Sequence, residues 1–317
     1  MARVRIALLP LFFGTVLTLA AQQTPVDSHS VAISSAARQT AVTTDGLSCS
    51  NFEWRPSSIS NKSVMLVPIS LNGRQFWYQL DTGADVLMPY GSAMEEGWSR
   101  LGDPAIRIPN VVFAGMSVSS VRGFLSKDVP VSPNAKDPHG TVGLELLLGR
   151  VFVMDFPRQR VCLLNLGDLP ATLEQAADWT WAEVRHGKLF VDLELNGKKL
   201  EGILYDTGSS PDALDVDLNL WQEATGKSGA KDAATHYSMC CAWGHELEFI
   251  GAPASGDLKI GKHAYPKPMM TTEPNRPDSF RTEYWGQGLL GNALFTQSIV
   301  ILDLGAHPRF GVIDSSR

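Results

Sequence analysis

Hydrophobic and polar residues alternate along two separate stretches of the chain, and the two stretches share one layout. Each has an alternating segment, an Asn-Gly pair and a second apolar segment, found at 64–71, 72–73 and 75–80 in the first stretch and at 189–195, 196–197 and 200–205 in the second. A period of two is typical of a β-strand with one buried face, and Asn-Gly is preferred in tight β-hairpin turns. Each stretch therefore predicts a hairpin, and the second strand of each leads into an aspartate, Asp81 or Asp206.

The similarity between the two stretches continues downstream. An apolar residue and a glycine recur as Val142-Gly143 and as Leu290-Gly291, and in both cases an aspartate follows the glycine by 12 residues. Features that recur in one order indicate an internal duplication. We expect the two copies at 62–166 and 187–314, joined by a connection at 167–186.

The segments between these landmarks are short, apolar and rich in β-branched residues, with frequent Gly and Pro. This pattern predicts an all-β fold of two duplicated, β-barrel-like lobes. Two segments, Met88–Trp98 and Asp215–Thr225, are predicted to be short helices.

The first residues have the pattern of a secretory signal peptide. Two arginines precede an apolar run at 6–19, which ends in Ala20-Ala21. This order is typical of a cleaved signal, here 1–21. A membrane anchor is the alternative, but the run is short for a spanning helix and Pro10 interrupts it. We therefore expect an exported protein, periplasmic or secreted, with no membrane span once the signal is removed.

Residues 22–61 are rich in Ser, Thr, Ala and Gln and lack sustained periodicity, which predicts a linker or a pro-segment. The net charge is −6 and there is no long Lys/Arg run, so a nucleic-acid partner is excluded on electrostatic grounds. Export permits disulfides, and three pairings are open for the four cysteines, which are Cys49, Cys162, Cys240 and Cys241.

Each copy places an Asp-Thr-Gly tripeptide at the end of its second strand, at 81–83 and at 206–208. A carboxylate in this position is held by the sheet, and the glycine lets the backbone approach another segment closely. Two related lobes that meet at a pseudo-two-fold axis would bring both loops face to face. When two carboxyl groups lie this close together, they share one proton. The ionised group can then act as a base on water, and the protonated group can act as an acid toward a carbonyl.

The loops Leu80–Ala84 and Asp206–Ser210 resemble the active-site loops of the retropepsin and pepsin superfamily. Val142-Gly143 and Leu290-Gly291 resemble the motif that packs beneath each loop in that superfamily. The resemblance covers roughly 62–314 and implies a bilobal aspartic-protease fold. Because the lobes are compact, they look closer to bacterial retropepsin-like domains than to pepsin. Because both lobes belong to one chain, a monomer suffices.

The same resemblance implies roles for individual residues. Asp81 and Asp206 would be the catalytic pair, and Thr82 and Thr207 would form the hydrogen bonds that hold the two loops. Ser209 would orient Asp206. The glycines Gly83 and Gly208 would complete the two loops as supporting residues.

Members of this superfamily cover the cleft with a hairpin flap. There are 61 residues between Asp81 and Gly143, and 84 between the corresponding residues of the second copy. The extra chain of the second copy contains Tyr237 and Trp243, so we expect the second lobe to supply the flap. Ala114-Gly115 of the first copy is the alternative flap tip.

The function predicted from these features is an aspartic endopeptidase that acts on polypeptides without a cofactor or a metal. The alternative is an exported peptide-binding protein that retains the fold and does not cleave. A metal site is a further alternative because His236, Cys240, Cys241 and His245 lie close together, but their spacing matches no common zinc pattern. Other aspartates are predicted to be structural, at 85, 155 and 303, or to cap or solvate a short helix, at 212, 215 and 217.

Overall fold

A computed structural model describes residues 42–242, 245–283 and 286–314, without the side chains of 239–242 and 245–246. The predicted signal peptide and Trp243 lie outside these residues. Among the described residues, no helix has both the length and the apolar character that a membrane crossing requires.

The first copy and the segment before it form short strands around two longer hairpins. These strands are β1 (Ser50–Asn51), β2 (Glu53–Arg55), β3 (Val64–Leu71), β4 (Arg74–Leu80), β5 (Met88–Pro89), β6 (Ser99–Arg100), β7 (Ala105–Phe113), β8 (Met116–Phe124), β9 (Gly140–Val142), β10 (Arg150–Asp155) and β11 (Arg160–Asn165).

The connection and the second copy repeat this arrangement. Their strands are β12 (Asp178–Arg185), β13 (Lys188–Leu195), β14 (Lys198–Tyr205), β15 (Leu214–Val216), β16 (Thr235–Ala242), β17 (His245–Pro253), β18 (Leu258–Ile260), β19 (His263–Tyr265), β20 (Met269–Thr272), β21 (Gly288–Leu290), β22 (Ser298–Asp303) and β23 (Arg309–Asp314).

Helices are short in the described part of the chain. They are α1 (Ala171–Ala176), α2 (Leu218–Thr225) and α3 (Ser279–Glu283), with single 3-10 turns at Leu144–Leu146, Thr207–Ser209, Ala230–Asp232 and Ala293–Phe295. The predicted class, all-β with two duplicated lobes, is therefore confirmed. α2 confirms the second predicted helix over Leu218–Thr225, whereas Asp215 and Val216, predicted to be in it, belong to β15. The first, at Met88–Trp98, is wrong because Met88–Pro89 pairs with β9, and the backbone has positive φ at Gly91 and Gly97.

The two lobes have the same strand arrangement around their aspartates. In the first lobe β4 runs parallel to β9, and β5 runs antiparallel to β9 on its other side. In the second lobe β14 runs parallel to β21, and β15 runs antiparallel to β21. In each lobe, the strand that leads into the aspartate thus lies directly beside the strand that leads into the apolar-Gly pair.

The lobes are joined by a continuous sheet in which β10 pairs with β22, in the order β1-β11-β10-β22-β23-β12. Val153 lies opposite Ile301 in this pairing. These two residues occupy the same position in the two copies, because each follows its motif glycine by 10 residues. The pseudo-two-fold axis therefore passes between Val153 and Ile301.

The segment predicted as a linker differs from that expectation in its described part. β1 pairs with β11, β2 pairs with β3, and Cys49 forms a disulfide with Cys162. The Cys49–Cys162 bond ties this segment to the first lobe. Likewise, the connection at 167–186 carries β12, which pairs with both β13 and β23 and so belongs to the sheet.

Candidate active site

Asp81 and Asp206 occupy equivalent positions at the ends of β4 and β14. The Asp81 N–H donates to the carbonyl of Val142 at 3.0 Å, and the Asp206 N–H donates to the carbonyl of Leu290 at 3.0 Å. Each aspartate is thus held by the residue just before the motif glycine of its own lobe. Both side chains are buried, with exposed fractions of 4% and 7%.

The two motif glycines lie beneath the aspartate loops, at positions where a side chain would not fit. A Cβ on Gly143 would lie 2.4 Å from the carbonyl oxygen of Val86. A Cβ on Gly291 would lie 2.1 Å from the carbonyl oxygen of Ser209. The apolar-Gly pairs therefore pack against the two aspartate loops, as the resemblance implies.

Thr82 and Thr207 connect the two loops through reciprocal hydrogen bonds. The Thr82 N–H donates to Thr207 Oγ1, and the Thr207 N–H donates to Thr82 Oγ1, both at 3.0 Å. The Thr82 hydroxyl donates to the carbonyl of Tyr205 at 2.8 Å, and the Thr207 hydroxyl to that of Leu80 at 3.0 Å. Both side chains are fully buried, so these bonds fix one loop against the other.

Gly83 and Gly208 let each loop approach the carboxyl group of the opposite lobe. A Cβ on Gly83 would lie 2.5 Å from Asp206 Oδ2, and one on Gly208 would lie 2.8 Å from Asp81 Cγ. The Gly83 N–H donates across the lobe boundary to Asp206 Oδ1 at 3.2 Å. Only glycine fits at these two positions, and the close approach that it allows brings the two carboxyl groups into one site.

The remaining backbone hydrogen bonds to the carboxyl groups come from each residue's own loop. The Ala84 N–H donates to Asp81 Oδ1 at 3.0 Å, and the Gly208 N–H donates to Asp206 Oδ1 at 2.7 Å. Asp206 Oδ1 therefore accepts two backbone donors, whereas Asp81 Oδ1 accepts one.

The environment of Asp81 favours its neutral form. Burial, the negative charge of Asp206 and a hydrogen bond with Asp206 raise the pKa of Asp81 well above its usual value. The positive charge of Lys188 and the hydrogen bond from Ala84 act in the opposite direction. Two carboxyl groups in this arrangement repel each other when both are ionised.

Ser209 does not contact Asp206 in the way that the resemblance implies. Its hydroxyl donates to Asp212 Oδ2 at 3.0 Å, and the hydroxyl of Tyr237 donates to Asp212 Oδ1 at 2.6 Å. Burial raises the pKa of Asp212, while these two hydrogen bonds lower it. Asp212 thus links the second aspartate loop to the β16–β17 hairpin.

The prediction that Asp212, Asp215 and Asp217 cap or solvate a helix is wrong, because all three are buried. Asp217 directly precedes α2, yet its side chain accepts from the Phe280 N–H and from Arg281 rather than capping the helix. Burial and the nearby charge of Glu273 raise the pKa of Asp215 well above its usual value.

The aspartates predicted to be structural form ion pairs. Asp155 is fully buried and pairs with Arg158 and Arg160, and Asp303 pairs with Arg309. Asp85 pairs with Lys188 of the second lobe.

Lys188 was not identified from the sequence. Its ammonium group donates to the carbonyl of Gly83 and forms the ion pair with Asp85. A signal was present: Lys188 precedes the turn residue Asn196 by eight residues, and the residue that precedes Asn72 by eight is the apolar Val64. A comparison of the two copies would have identified Lys188 as a charge without a counterpart.

The two candidate flaps differ in their surroundings. Tyr237 lies on the β16–β17 hairpin, stacks on Phe249 with ring centroids 5.0 Å apart, and reaches the second aspartate loop through Asp212. The alternative tip is packed inward: Ala114 is fully buried, and a Cβ on Gly115 would lie 2.3 Å from the carbonyl oxygen of Ser48. Ala114-Gly115 is therefore not a flap tip.

The metal alternative rests on side chains that are mostly outside the described ones, since those of Cys240, Cys241 and His245 are not among them. In the part of the chain that the structure does describe, no group of three His, Cys, Asp or Glu residues is placed to hold a metal ion.

No protein-family model matches the chain, and no curated protein matches it. One solved structure that resembles it is the crystal structure of basic 7S globulin from soybean. That protein is 11% identical, and the similarity has a TM-score of 0.47 over 85% of this chain and 95% of that chain. At this identity the likeness carries no conclusion about chemistry.

Proposed function

We propose that the chain is an aspartic endopeptidase in which Asp81 and Asp206 activate a water molecule for hydrolysis of a peptide bond. The observation that carries the proposal is the junction of the two loops. Gly83 of one lobe donates to the carboxyl group of Asp206 in the other, and the two threonines exchange hydrogen bonds beside it. This arrangement holds two buried carboxyl groups in one site, which is what general acid and general base action on one substrate require.

In the proposed mechanism the pair carries one proton and one negative charge. The proton resides on Asp81, whose pKa burial and the charge of Asp206 raise. Asp206 Oδ1 accepts two backbone N–H groups, and such donors interact better with a carboxylate than with a carboxylic acid. Asp206 is therefore the base toward water, and Asp81 is the acid toward the substrate carbonyl.

The reaction then needs neither a metal nor a covalent intermediate. Asp206 takes a proton from the water while the water oxygen bonds to the carbonyl carbon, and Asp81 gives its proton to the carbonyl oxygen. The product of this step is a neutral diol. When the C–N bond breaks, the proton held by Asp206 passes to the leaving nitrogen and Asp81 recovers a proton from a diol hydroxyl, which restores the starting pair.

We propose that the β16–β17 hairpin covers the substrate, with Tyr237 as its contact to the second loop. The link from Tyr237 through Asp212 to Ser209 supports this assignment, because it connects hairpin position to the loop that carries Asp206. One chain supplies both aspartates, so the active form is a monomer.

The site of action is an oxidising compartment. The Cys49–Cys162 disulfide supports this, since disulfides persist mainly in exported proteins. The substrates are therefore polypeptides outside the cytosol.

A peptide-library cleavage assay from pH 3 to pH 8, with and without pepstatin, tests the proposal. We expect cleavage that pepstatin inhibits and that Asp81→Asn and Asp206→Asn each abolish while the fold is retained. Asp128→Asn, at an exposed aspartate of the first lobe, is the matched control and should retain full activity. Cleavage that survives both active-site substitutions would contradict the mechanism. Peptide binding without cleavage by the wild type would identify a binding protein instead.

A further inference from the structure

Lys188 extends from the second lobe to the loop that carries the first aspartate. It is the first residue of β13, and its ammonium group contacts the Gly83 carbonyl and the Asp85 carboxylate. The side chain of Lys188 is 18% exposed, whereas that of Asp85 is 52% exposed. Water screens the charge of Asp85 more than that of Lys188. The pair therefore produces a net positive electrostatic potential on the buried side of the loop.

The contact reaches Asp81 through a single peptide group. The Gly83 carbonyl accepts from Lys188, and the N–H of the same peptide, that of Ala84, donates to Asp81 Oδ1 at 3.0 Å. A cation at the carbonyl end polarises the peptide and strengthens its N–H as a donor. Lys188 therefore acts on Asp81 by charge and by the position of this peptide.

The positive charge of Lys188 acts on the Asp81 side of the site and has no counterpart on the Asp206 side. The residue of the first lobe that matches Lys188 by its distance from the Asn-Gly turn is Val64, which carries no charge. Asp206 instead receives its second donor from the Gly83 backbone. The two halves of the site are thus similar in backbone and different in electrostatics.

We propose that Lys188 is a positioning residue that holds the Asp81 loop and moves the working pH range of the aspartate pair toward acid. The inference rests on the proposed function, and it names the residue that regulates the same site.

The other titratable groups around the pair do not supply this positive charge. Asp206 faces Asp81 from the second loop, and Asp212 acts on Asp206 from behind that loop. Tyr90, which follows β5, is neutral because burial raises its pKa to about 12, and burial also raises the pKa of Tyr205 well above its usual value. Lys188 is the cation among the groups that act on Asp81.

The test compares two substitutions that break the same ion pair. Lys188→Met removes the cation, so both limbs of the pH dependence of kcat/KM should move up by about 0.5 to 1 pH unit. Asp85→Asn leaves the cation uncompensated, so both limbs should move down. A purely structural role of the ion pair would give the same effect for both variants, which would overturn the proposal.

Two further variants separate charge from packing. Lys188→Arg should restore the wild-type profile, because it keeps the positive charge. Lys198→Met is the matched control: it removes a lysine on β14 of the same lobe, whose exposed ion pair is with Glu223 of α2, and it should leave the profile unchanged. Where Lys188→Met does not fold, Lys188→Gln takes its place.

A second readout makes the result independent of catalysis. The carboxyl carbon of Asp81 can be titrated by NMR in the wild type and in Lys188→Met, with Asp81→Asn used for assignment. A higher titration midpoint in Lys188→Met is expected even where no peptide is cleaved, and an unchanged midpoint would overturn the proposal. An active wild type with an unshifted Lys188→Met profile would refute the role of Lys188 alone, whereas an inactive wild type would refute the proposed function.

Discussion

Thr82 and Thr207 exchange hydrogen bonds across the boundary between the two lobes. The backbone N–H of each donates to the hydroxyl of the other at 3.0 Å, and each hydroxyl then donates to a carbonyl of the opposite strand. Every donor in this set has an acceptor in the other lobe. The separation of the two aspartates is therefore set by contacts that neither lobe can make alone.

Replacing Thr82 by Val tests the importance of this exchange. Val keeps the shape of Thr but leaves the Thr207 N–H and the Tyr205 carbonyl buried without a partner. We expect the free energy of unfolding to fall by about 1–3 kcal/mol, and kcat to fall at least about tenfold because the loops shift. Urea unfolding and peptide cleavage measure the two effects. Thr82→Ser keeps the hydroxyl and is the control, and a Val variant with wild-type kcat would refute the expectation.

Tyr237→Phe removes the hydroxyl that donates to Asp212 without removing the ring that stacks on Phe249. We expect kcat/KM to fall about five- to tenfold, because the hairpin loses its hydrogen bond to the second loop. The melting temperature should change by only a few degrees. Steady-state kinetics and thermal unfolding give both values.

The matched control for this hairpin prediction is Tyr265→Phe, which removes a hydroxyl from β19 of the same lobe. It should leave kcat/KM unchanged. A Tyr237→Phe variant that loses stability but keeps its kinetic constants would show that Tyr237 serves folding alone.

Glu273 makes stability depend on pH. Burial raises its pKa to about 7, against the opposing influence of Arg276. In the unfolded chain the carboxyl group ionises near pH 4.5, so the contribution of Glu273 to stability is fully present below that pH. It decreases as the pH rises to about 7 and stays lower above it. The loss due to Glu273 is roughly 3 kcal/mol.

Glu273→Gln should remove this part of the pH dependence. Between pH 4.5 and pH 7.5, the free energy of unfolding of the variant should rise relative to that of the wild type, as measured by urea unfolding. Glu283→Gln is the control, because Glu283 contacts the same Arg276 from a more exposed position. A difference that stays constant with pH would contradict the prediction.

The disulfide should contribute to stability through the unfolded state. Cys49 and Cys162 are 113 positions apart in the sequence. Closing so long a loop lowers the conformational entropy of the unfolded chain, which in the entropic description raises the free energy of unfolding by about 4–5 kcal/mol. Replacing both by Ser should therefore lower the melting temperature markedly, as measured by calorimetry without reductant. An unchanged melting temperature would show that pairing of β1 with β11 alone holds this segment.

Local sequence signals were enough to predict the duplication and the two loops. Asn-Gly turns, Asp-Thr-Gly and the apolar-Gly pairs depend on backbone requirements that few residues satisfy, so they can be recognised without knowledge of the fold. The all-β class followed from the alternation around them.

Features that depend on distant pairing were not predicted. Ser50–Asn51 and Glu53–Arg55 are too short to show a period, and the partner of Ser50–Asn51 is the distant strand β11. Asp212 lies in a polar stretch, yet it is buried because the β16–β17 hairpin brings Tyr237 onto it. The contact of Lys188 with Gly83 required the positions of both lobes.

The one-sided charge at Lys188 has a consequence for how such a site can change over evolution. An enzyme assembled from two identical chains must carry every substitution twice, once beside each aspartate. Because β10 and β22 here belong to a single polypeptide, each half is free to mutate by itself. Covalent fusion thus allows a symmetric scaffold to place its two aspartates in unequal surroundings.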